Sequence, residues 1–265
     1  MGSRKQEKPS KARKTAKNGN PNKRKRIPLG PNRVLAKKKE AAKTKPAKNI
    51  SSSLGVATAA EQLRFFLDQY QSATGVQLSA LELEPIKADK CVLELSQGMD
   101  QSASNLGEHM KAAFGSSWKE VLCEKQLLEG KIDPGSPALL VISLSALRSL
   151  EILRAFRDLT RECYAAKLFS KHMKIEEQVG VLKNRVNIAC GTPSRIKKLI
   201  DVEALGLSRL AVVVLDMHTD VKGYSLFTLP QVRDEFWDLY KCYFHPRLLQ
   251  GDLRICLYGP IPISS

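Results

Sequence analysis

The sequence places residues that suit anion binding at a point where an apolar run stops. Residues 186–190 have the pattern of a buried strand, and the chain then passes through Gly191, Thr192 and Pro193 into a stretch with helical spacing. Gly191 permits a tight turn, Thr192 suits the N-cap position, and Pro193 suits the first helical position. The free N–H groups and the dipole of such a helix start favour a phosphate. Arg195 lies in the first turn, where a cation opposes the dipole unless an anion is bound.

The same residues also fit a strand-to-helix turn that binds nothing. In that interpretation Arg195 pairs with a neighbouring carboxylate, and turn chemistry alone explains Gly191, Thr192 and Pro193. The sequence leaves both interpretations open at this point.

A second strand end carries a carboxylate. Residues 210–215 form an apolar run that ends on Asp216, which is followed by Met217, His218 and Thr219. One carboxylate without a second ligand holds magnesium poorly. The four histidines are scattered without metal-ligand spacing, and we predict no metal site, although the position of His218 so close to Asp216 makes it the histidine to watch.

The segments that must position these residues alternate between strand and helix patterns. The predicted strands are 138–143, 186–190, 210–215 and 253–258. Between them, helical spacing covers 145–158, the stretch from Ile175 to Leu182, 193–204, and the stretch from Val232 to Tyr243, whose aromatic residues we expect in the core. Short connections between alternating elements predict a single parallel sheet with helices on both faces, an α/β fold.

The part of the domain before this alternation is predicted to be mostly helical. Thr58 and Glu61 fit a capping box, followed by an apolar face from Leu63 to Tyr70. Residues 106–128 are predicted to be helical, in two pieces broken at 115–117, and residues 92–95 form a short strand or a loop.

The N-terminal segment has a different composition. Residues 1–48 contain 18 Lys or Arg against two Glu, which accounts for the whole net charge of +16. Because large apolar side chains are almost absent there, we predict a disordered basic tail over 1–55 and a folded domain over 56–265. Two clusters in the tail are candidates for binding nucleic-acid phosphates and a nuclear import receptor, with a merely solubilising tail as the alternative. They are Lys23, Arg24, Lys25 and Arg26, and Lys37, Lys38 and Lys39.

Cysteine spacing and hydropathy add two expectations. The six cysteines are widely spread with no Cys-x-x-Cys, which predicts reduced core residues in an intracellular protein. The longest apolar runs are too short to span a bilayer, so we expect no membrane partner.

Two motifs resemble those of DEAD-box RNA helicases. Gly191-Thr192-Pro193-Ser194-Arg195 is similar to their Gly-Thr-Pro-Gly-Arg motif, and the strand ending on Asp216 is similar to their Val-Leu-Asp-Glu-Ala-Asp strand. The strand 140–143 with Arg148 is similar to the one that leads into their Pro-Thr-Arg-Glu-Leu motif. The resemblance covers about residues 138–220 and implies one RecA-like half of a helicase.

The ATPase motifs of that class are missing. No Gly-x-x-x-x-Gly-Lys-Ser/Thr occurs, and residues 115–119, which stand roughly where such a loop is expected, lack the second glycine and have Trp118 at the lysine position. We interpret 115–119 as helix punctuation. Met217, His218 and Thr219 replace the Glu-Ala-Asp that would orient magnesium and water. We therefore expect no ATP hydrolysis and no cofactor.

One helicase-like half without ATPase motifs resembles a eukaryotic nucleolar family of subunits of the early small-subunit pre-ribosome. The segment 171–178 before the Gly-Thr-Pro turn and Leu257-Tyr258-Gly259-Pro260 near the end carry this resemblance over most of residues 60–260. It implies a non-catalytic nucleolar role in ribosomal RNA maturation, with precursor ribosomal RNA and pre-ribosomal proteins as partners. The RNA-binding residues we expect are Gly191, Thr192, Pro193 and Arg195 together with the two basic clusters of the tail. The alternative is a scaffold that binds proteins and does not touch RNA.

Overall fold

The computed structural model describes residues 57–125 and 133–262. The helices are α1 (Ala59–Thr74), α2 (Ala80–Leu83), α3 (Ala88–Cys91), α4 (Leu106–Phe114), α5 (Ala146–Ala155), α6 (Ile175–Leu182), α7 (Pro193–Asp201), α8 (Pro230–Leu239) and α9 (His245–Gln250). The strands are β1 (Leu139–Ile142), β2 (Ala166–Leu168), β3 (Ile188–Gly191), β4 (Val212–Asp216) and β5 (Arg254–Tyr258). The predictions for a disordered tail over 1–55, for the tail clusters and for the helix beyond Lys125 lie outside the described residues.

The five strands form one parallel sheet with the order β2-β3-β1-β4-β5. The strand order is not the chain order, because the chain starts at the middle strand, crosses to one edge, and returns past β1 to the other edge. The prediction of an α/β fold with a single parallel sheet is confirmed. All five strands end at the same side of the sheet, so the residues at their carboxyl ends become neighbours.

Helices cover both faces of the sheet, as predicted. In β1, Leu140 and Ile142 point to a core formed with α1, α6, α7, α8 and α9. Leu139 and Val141 point to the opposite core, formed with α4 and α5. The alternation along one fully buried strand explains its unbroken apolar sequence, because both faces are covered.

The predicted start of α1 and the aromatic core are confirmed. Thr58 and Glu61 form the capping box of α1, with Thr58 N–H donating to Glu61 Oε2 at 2.8 Å. Phe66 on α1 packs against Trp237 and Tyr240 of the α8 region, with ring centroids 5.2 and 5.1 Å away. Trp237 and Tyr240 are therefore core residues, and burial raises the pKa of Tyr240 strongly.

Two segments differ from the sequence prediction. β2 is absent from the predicted strands, because a three-residue strand with one exposed lysine has no recognisable period. The helical stretch from residue 106 is broken at 115–117, as predicted, but the second piece is only one π-helical turn, Lys119–Cys123, after α4 and a 3₁₀ turn. Gly115 causes the break, since it follows α4 with a φ of 57° that favours glycine.

Candidate functional site

The candidate site lies where the strands end. Gly191 is the last residue of β3 and Asp216 is the last residue of β4, on either side of β1. The connection after β1 leads towards β2 and the connection after β4 leads towards β5, in opposite directions across the sheet. Open α/β sheets bind ligands between neighbouring strands whose connections diverge in this way. Gly191 and Asp216, which the sequence singled out, thus both lie at the carboxyl end of the sheet.

Gly191 belongs to the strand and not to the turn. It pairs with Leu168 of β2, and an added Cβ would lie 2.0 Å from the Leu168 carbonyl oxygen. The expectation that Gly191 is needed for a tight turn is therefore wrong: glycine is required because a neighbouring strand approaches too closely for any side chain.

Thr192 and Pro193 start α7 in an unexpected way. Thr192 stands at the N-cap position, but its side chain makes no capping hydrogen bond, which corrects the expectation that it caps the helix. Its backbone N–H donates to Leu168 O at 3.0 Å. Pro193 occupies the first helical position, as predicted. The N–H groups of Ser194 and Arg195, in the first turn of α7, have no partner within that helix and remain available to an anion.

Arg195 pairs with an amide and not with a carboxylate. Its Nη1 donates to Gln178 Oε1 at 2.8 Å, while Gln178 Nε2 donates to the carbonyl oxygens of Lys167 and Phe169 at 2.7 and 2.9 Å. Within the described ranges Arg195 has no ion pair, so its positive charge at the helix start is not neutralised there. The ligand-free interpretation named a carboxylate partner, and the structure corrects it.

Asp216 is held by residues of its own chain. Arg148, in the first turn of α5, donates from Nε to Oδ2 at 2.7 Å and from Nη2 to Oδ1 at 3.0 Å. His218 Nδ1 lies 2.8 Å from Oδ1, and the Asp216 side chain is only 1% exposed. Burial alone lowers the pKa of Arg148, but the bonds to Asp216 and Glu151 outweigh burial and raise it overall. These contacts leave the carboxylate no open face for a metal ion.

The pairing of Arg148 with Asp216 is not predicted from the sequence. Arg148 follows β1 and Asp216 ends β4, and these two strands are neighbours in the sheet. The signal was available in principle, because adjacent parallel strands bring their ends together, but it required the strand order.

A different segment stands where a phosphate-binding loop is expected. Val92 forms a parallel bridge with Ile255 at the outer side of β5, and residues 96–105 then connect it to α4. This strand-loop-helix arrangement is the one that cradles phosphates, but residues 96–105 contain one glycine, no lysine, and Asp100. Residues 115–119 lie beyond α4, so their expected location was wrong, although their interpretation as helix punctuation is confirmed.

The segment 96–105 is bonded to the end of β5. Gly259 N–H donates to Gln101 Oε1 at 2.7 Å, and the Tyr258 hydroxyl donates to Ser102 O at 2.8 Å. His109 lies against the same segment, with Nε2 3.1 Å from Asp100 O. In each of the first two bonds, a side chain on one side pairs with a backbone group on the other.

The described residues lack two further features, a metal-binding cluster and a membrane-spanning helix. Across 57–125 and 133–262, no three His, Cys, Asp or Glu side chains are grouped so as to hold a metal ion. No helix in these same ranges has the length and apolar character needed to cross a membrane.

Comparisons with known proteins identify relatives. Protein CMSS1 of Xenopus laevis is 29% identical over 243 residues, which cover 89% of this chain and 88% of that protein. Protein CMS1 of Chaetomium thermophilum is 32% identical over 157 residues, 57% of this chain and 60% of that protein. The ATP-dependent RNA helicase DDX50 of Mus musculus is 33% identical over 106 residues, 40% of this chain but only 14% of the helicase.

Solved structures with a similar arrangement include a DEAD-box protein from Methanococcus jannaschii. It is 17% identical with a TM-score of 0.37, and the match covers 81% of this chain and 50% of that one. The sequence profile of a family described as the U3-containing 90S pre-ribosomal complex subunit matches residues 3–258. This chain therefore belongs to the family of U3-containing 90S pre-ribosomal complex subunits.

Proposed function

We propose that this chain is a non-enzymatic, RNA-associated ribosome-biogenesis factor that works in the early small-subunit pre-ribosome of the nucleolus. It contacts precursor ribosomal RNA through the first turn of α7 and through the basic tail, and pre-ribosomal proteins are its other partners. Membership of a pre-ribosomal family supports the setting. The absence of catalysis and the RNA contact rest on the geometry of the strand ends.

One observation carries the non-enzymatic part: Arg148 occupies both oxygens of Asp216. An ATPase of this fold needs that carboxylate to hold magnesium, and it needs a glycine-rich loop with a lysine for the phosphates. Here the carboxylate is neutralised internally, and residues 96–105 contain no lysine. Two independent requirements for hydrolysis are therefore unmet.

The RNA contact is supported by the start of α7. The N–H groups of Ser194 and Arg195 and the helix dipole attract a phosphate, and the Arg195 guanidinium adds a positive charge that no carboxylate in the described residues neutralises. Gln178 holds Arg195 in one orientation, which lowers the entropy lost when a phosphate binds. The tail, with Lys23, Arg24, Lys25, Arg26 and Lys37, Lys38, Lys39, adds sequence-independent affinity and a signal for an import receptor.

Ultraviolet crosslinking of the full chain to RNA, followed by mapping of the crosslinked peptides, tests this proposal. We expect crosslinks at the start of α7, reduced several-fold by Arg195→Ala, while Lys87→Ala, at the far edge of the sheet, leaves them unchanged. If crosslinks map to the tail alone, the domain is a protein-binding scaffold and the RNA contact at α7 is wrong. If the protein melts at a higher temperature with ATP and magnesium, the non-enzymatic part is wrong.

A further inference from the structure

A cavity of about 920 Å³ opens beside β2, far along the sheet from Asp216. Its walls are formed by β2, by α6, and by the segments that precede β2 and β3. The proposed contact at α7 does not use this cavity.

Two arginines lie at or behind its wall without a carboxylate partner in the described residues: Arg185 is buried, and Arg209 is partly exposed. Arg185, only 8% exposed, donates from Nε to Asn187 Oδ1 at 2.9 Å. Arg209 donates to the same Oδ1 from Nη1 and Nη2, both at 3.3 Å. Two guanidinium groups therefore share one neutral oxygen atom. Burial, and next the charge of Arg185, lower the pKa of Arg209.

The compensation of these charges is incomplete. The other acceptors of the pair are the backbone oxygens Glu120 O and Ser136 O, and Arg185 Nη1 is buried with no hydrogen-bond partner in the described parts of the chain. Neither arginine forms an ion pair within residues 57–125 and 133–262. Uncompensated charge behind a partly enclosed wall raises the positive potential in the adjoining cavity.

The cavity wall itself is also basic. The charged residues that line it are Lys125, Lys167, Lys183, Arg185 and Glu162. The three lysines are exposed, so their ammonium groups can move toward a bound anion. These described lining residues include four basic side chains and one acidic side chain. Their net charge is therefore +3, which favours the binding of a polyanion.

The wall also presents an aromatic ring. Tyr164 lines the cavity and is 81% exposed. A ligand that covers its ring buries apolar surface, and the burial of its hydroxyl costs little free energy. A basic groove with an exposed aromatic side chain is the combination that binds single-stranded nucleic acid, because every base offers a face for stacking. An acidic peptide would use the charges but has no need of the ring.

We propose that this cavity binds a segment of single-stranded RNA, with one base stacked on Tyr164 and the adjacent phosphates contacting Lys167 and Lys183. Arg185 and Arg209 supply positive potential from behind the wall. The inference rests on the proposed association with RNA, and it adds a second contact beside the one at α7, because Gln178 lines the cavity and accepts a hydrogen bond from Arg195.

The test uses the full chain and a short oligouridylate that contains 4-thiouridine. Irradiation is expected to crosslink it to the segment 162–185. Tyr164→Ala should reduce this crosslink at least about fivefold, the lower bound for one base-stacking contact, whereas Tyr164→Phe should keep it. Lys167→Gln with Lys183→Gln should reduce it by a similar factor, because the side chains are exposed and the fold does not depend on them.

A matched control removes two exposed lysines at the opposite edge of the sheet. Lys87→Gln with Lys90→Gln makes the same charge change and should leave the crosslink intact. Crosslinks at α7 or the tail without any at 162–185 would overturn this inference and leave the proposed function standing. No crosslink anywhere would overturn both. Crosslinks at 162–185 that a polyglutamate peptide removes but unlabelled oligouridylate does not would assign the cavity to an acidic protein partner and also overturn the inference.

Discussion

Arg148 grips Asp216 with two parallel hydrogen bonds, Nε to Oδ2 at 2.7 Å and Nη2 to Oδ1 at 3.0 Å. The bidentate geometry matches the planar guanidinium to the planar carboxylate, which makes such pairs stronger than single contacts. The pair joins the helix after β1 to the end of β4, across the centre of the sheet.

Loss of this pair should destabilise the domain. Arg148→Ala leaves the carboxylate of Asp216, 1% exposed, with only His218 as a side-chain partner, and we expect a loss of about 3–5 kcal/mol in the free energy of unfolding. Urea unfolding measures it. Arg161→Ala is the control, because Arg161 and Asp158 pair on the surface with side chains 76% and 73% exposed, and it should cost less than about 1 kcal/mol. Equal losses in the two variants would contradict this role of Arg148.

Gly191 and Gly180 should respond to alanine in opposite directions. An alanine Cβ at Gly191 would lie 2.0 Å from Leu168 O, so β2 must move away from β3, at a cost of at least about 1–3 kcal/mol. Gly180, inside α6, has no atom within 4 Å of an added Cβ, and Gly180→Ala should stabilise the protein by about 0.5–1 kcal/mol. Thermal melts of the two variants compare them directly. A stabilised Gly191→Ala variant would show that β2 does not approach β3 as described.

Neutralising the first basic cluster should weaken RNA binding mainly at low salt. Replacing Lys23, Arg24, Lys25 and Arg26 by Gln in the full chain removes up to four phosphate contacts. The slope of log K against log salt should then fall by at most about 3, since each contact on single strands contributes about 0.7. Fluorescence titration at several salt concentrations measures the slope. An unchanged slope would mean that this cluster does not contact RNA. If the same variant is still found in the nucleus, the cluster is not the import signal.

His245 should make the domain less stable in mild acid. Burial lowers the pKa of His245, with a smaller opposing effect of Glu82, and the Tyr240 hydroxyl lies 2.9 Å from its Nδ1. A lowered folded-state pKa means that the unfolded chain takes up a proton first, so stability is full above pH about 6.5 and falls as the pH drops below it. Unfolding by urea at pH 7.5 and pH 5.5 measures the loss.

His245→Gln removes the titrating group and should flatten this decline. His172→Asn, at an exposed position with a φ of 58°, is the control and should leave the decline unchanged. The Tyr70 ring is stacked on His245 at 6.4 Å between centroids and does not titrate in this range, which leaves Glu82 as the charged group that acts on His245. A decline of equal size in His245→Gln would assign it to carboxylates elsewhere.

The sequence predicts the architecture better than it predicts the site. Unbroken apolar runs at 138–143 and 210–215 identify strands covered on both faces, and Pro193 marks the start of a helix, because these signals are local. The pairing of Arg148 with Asp216 depends on which strands are neighbours, and the sharing of Asn187 by Arg185 and Arg209 joins the segments that precede β3 and β4. The need for glycine at position 191 cannot be predicted either, since its neighbour Leu168 belongs to a strand that is too short to recognise.

The hydrogen bonds of the Gln178 side chain to Lys167, Phe169 and Arg195 have a consequence for self-association. Its Nε2 covers the outward carbonyl oxygens of Lys167 and Phe169, which are the acceptors that an added strand would use beside β2. An open sheet edge is a template for pairing with other chains, and proteins protect such edges with side chains that compete for the backbone groups. Gln178 is 1% exposed, and its oxygen is fixed by Arg195, so the cover is held in place. Gln178, which orients Arg195 at the candidate site, therefore also protects the β2 edge of the sheet against aggregation.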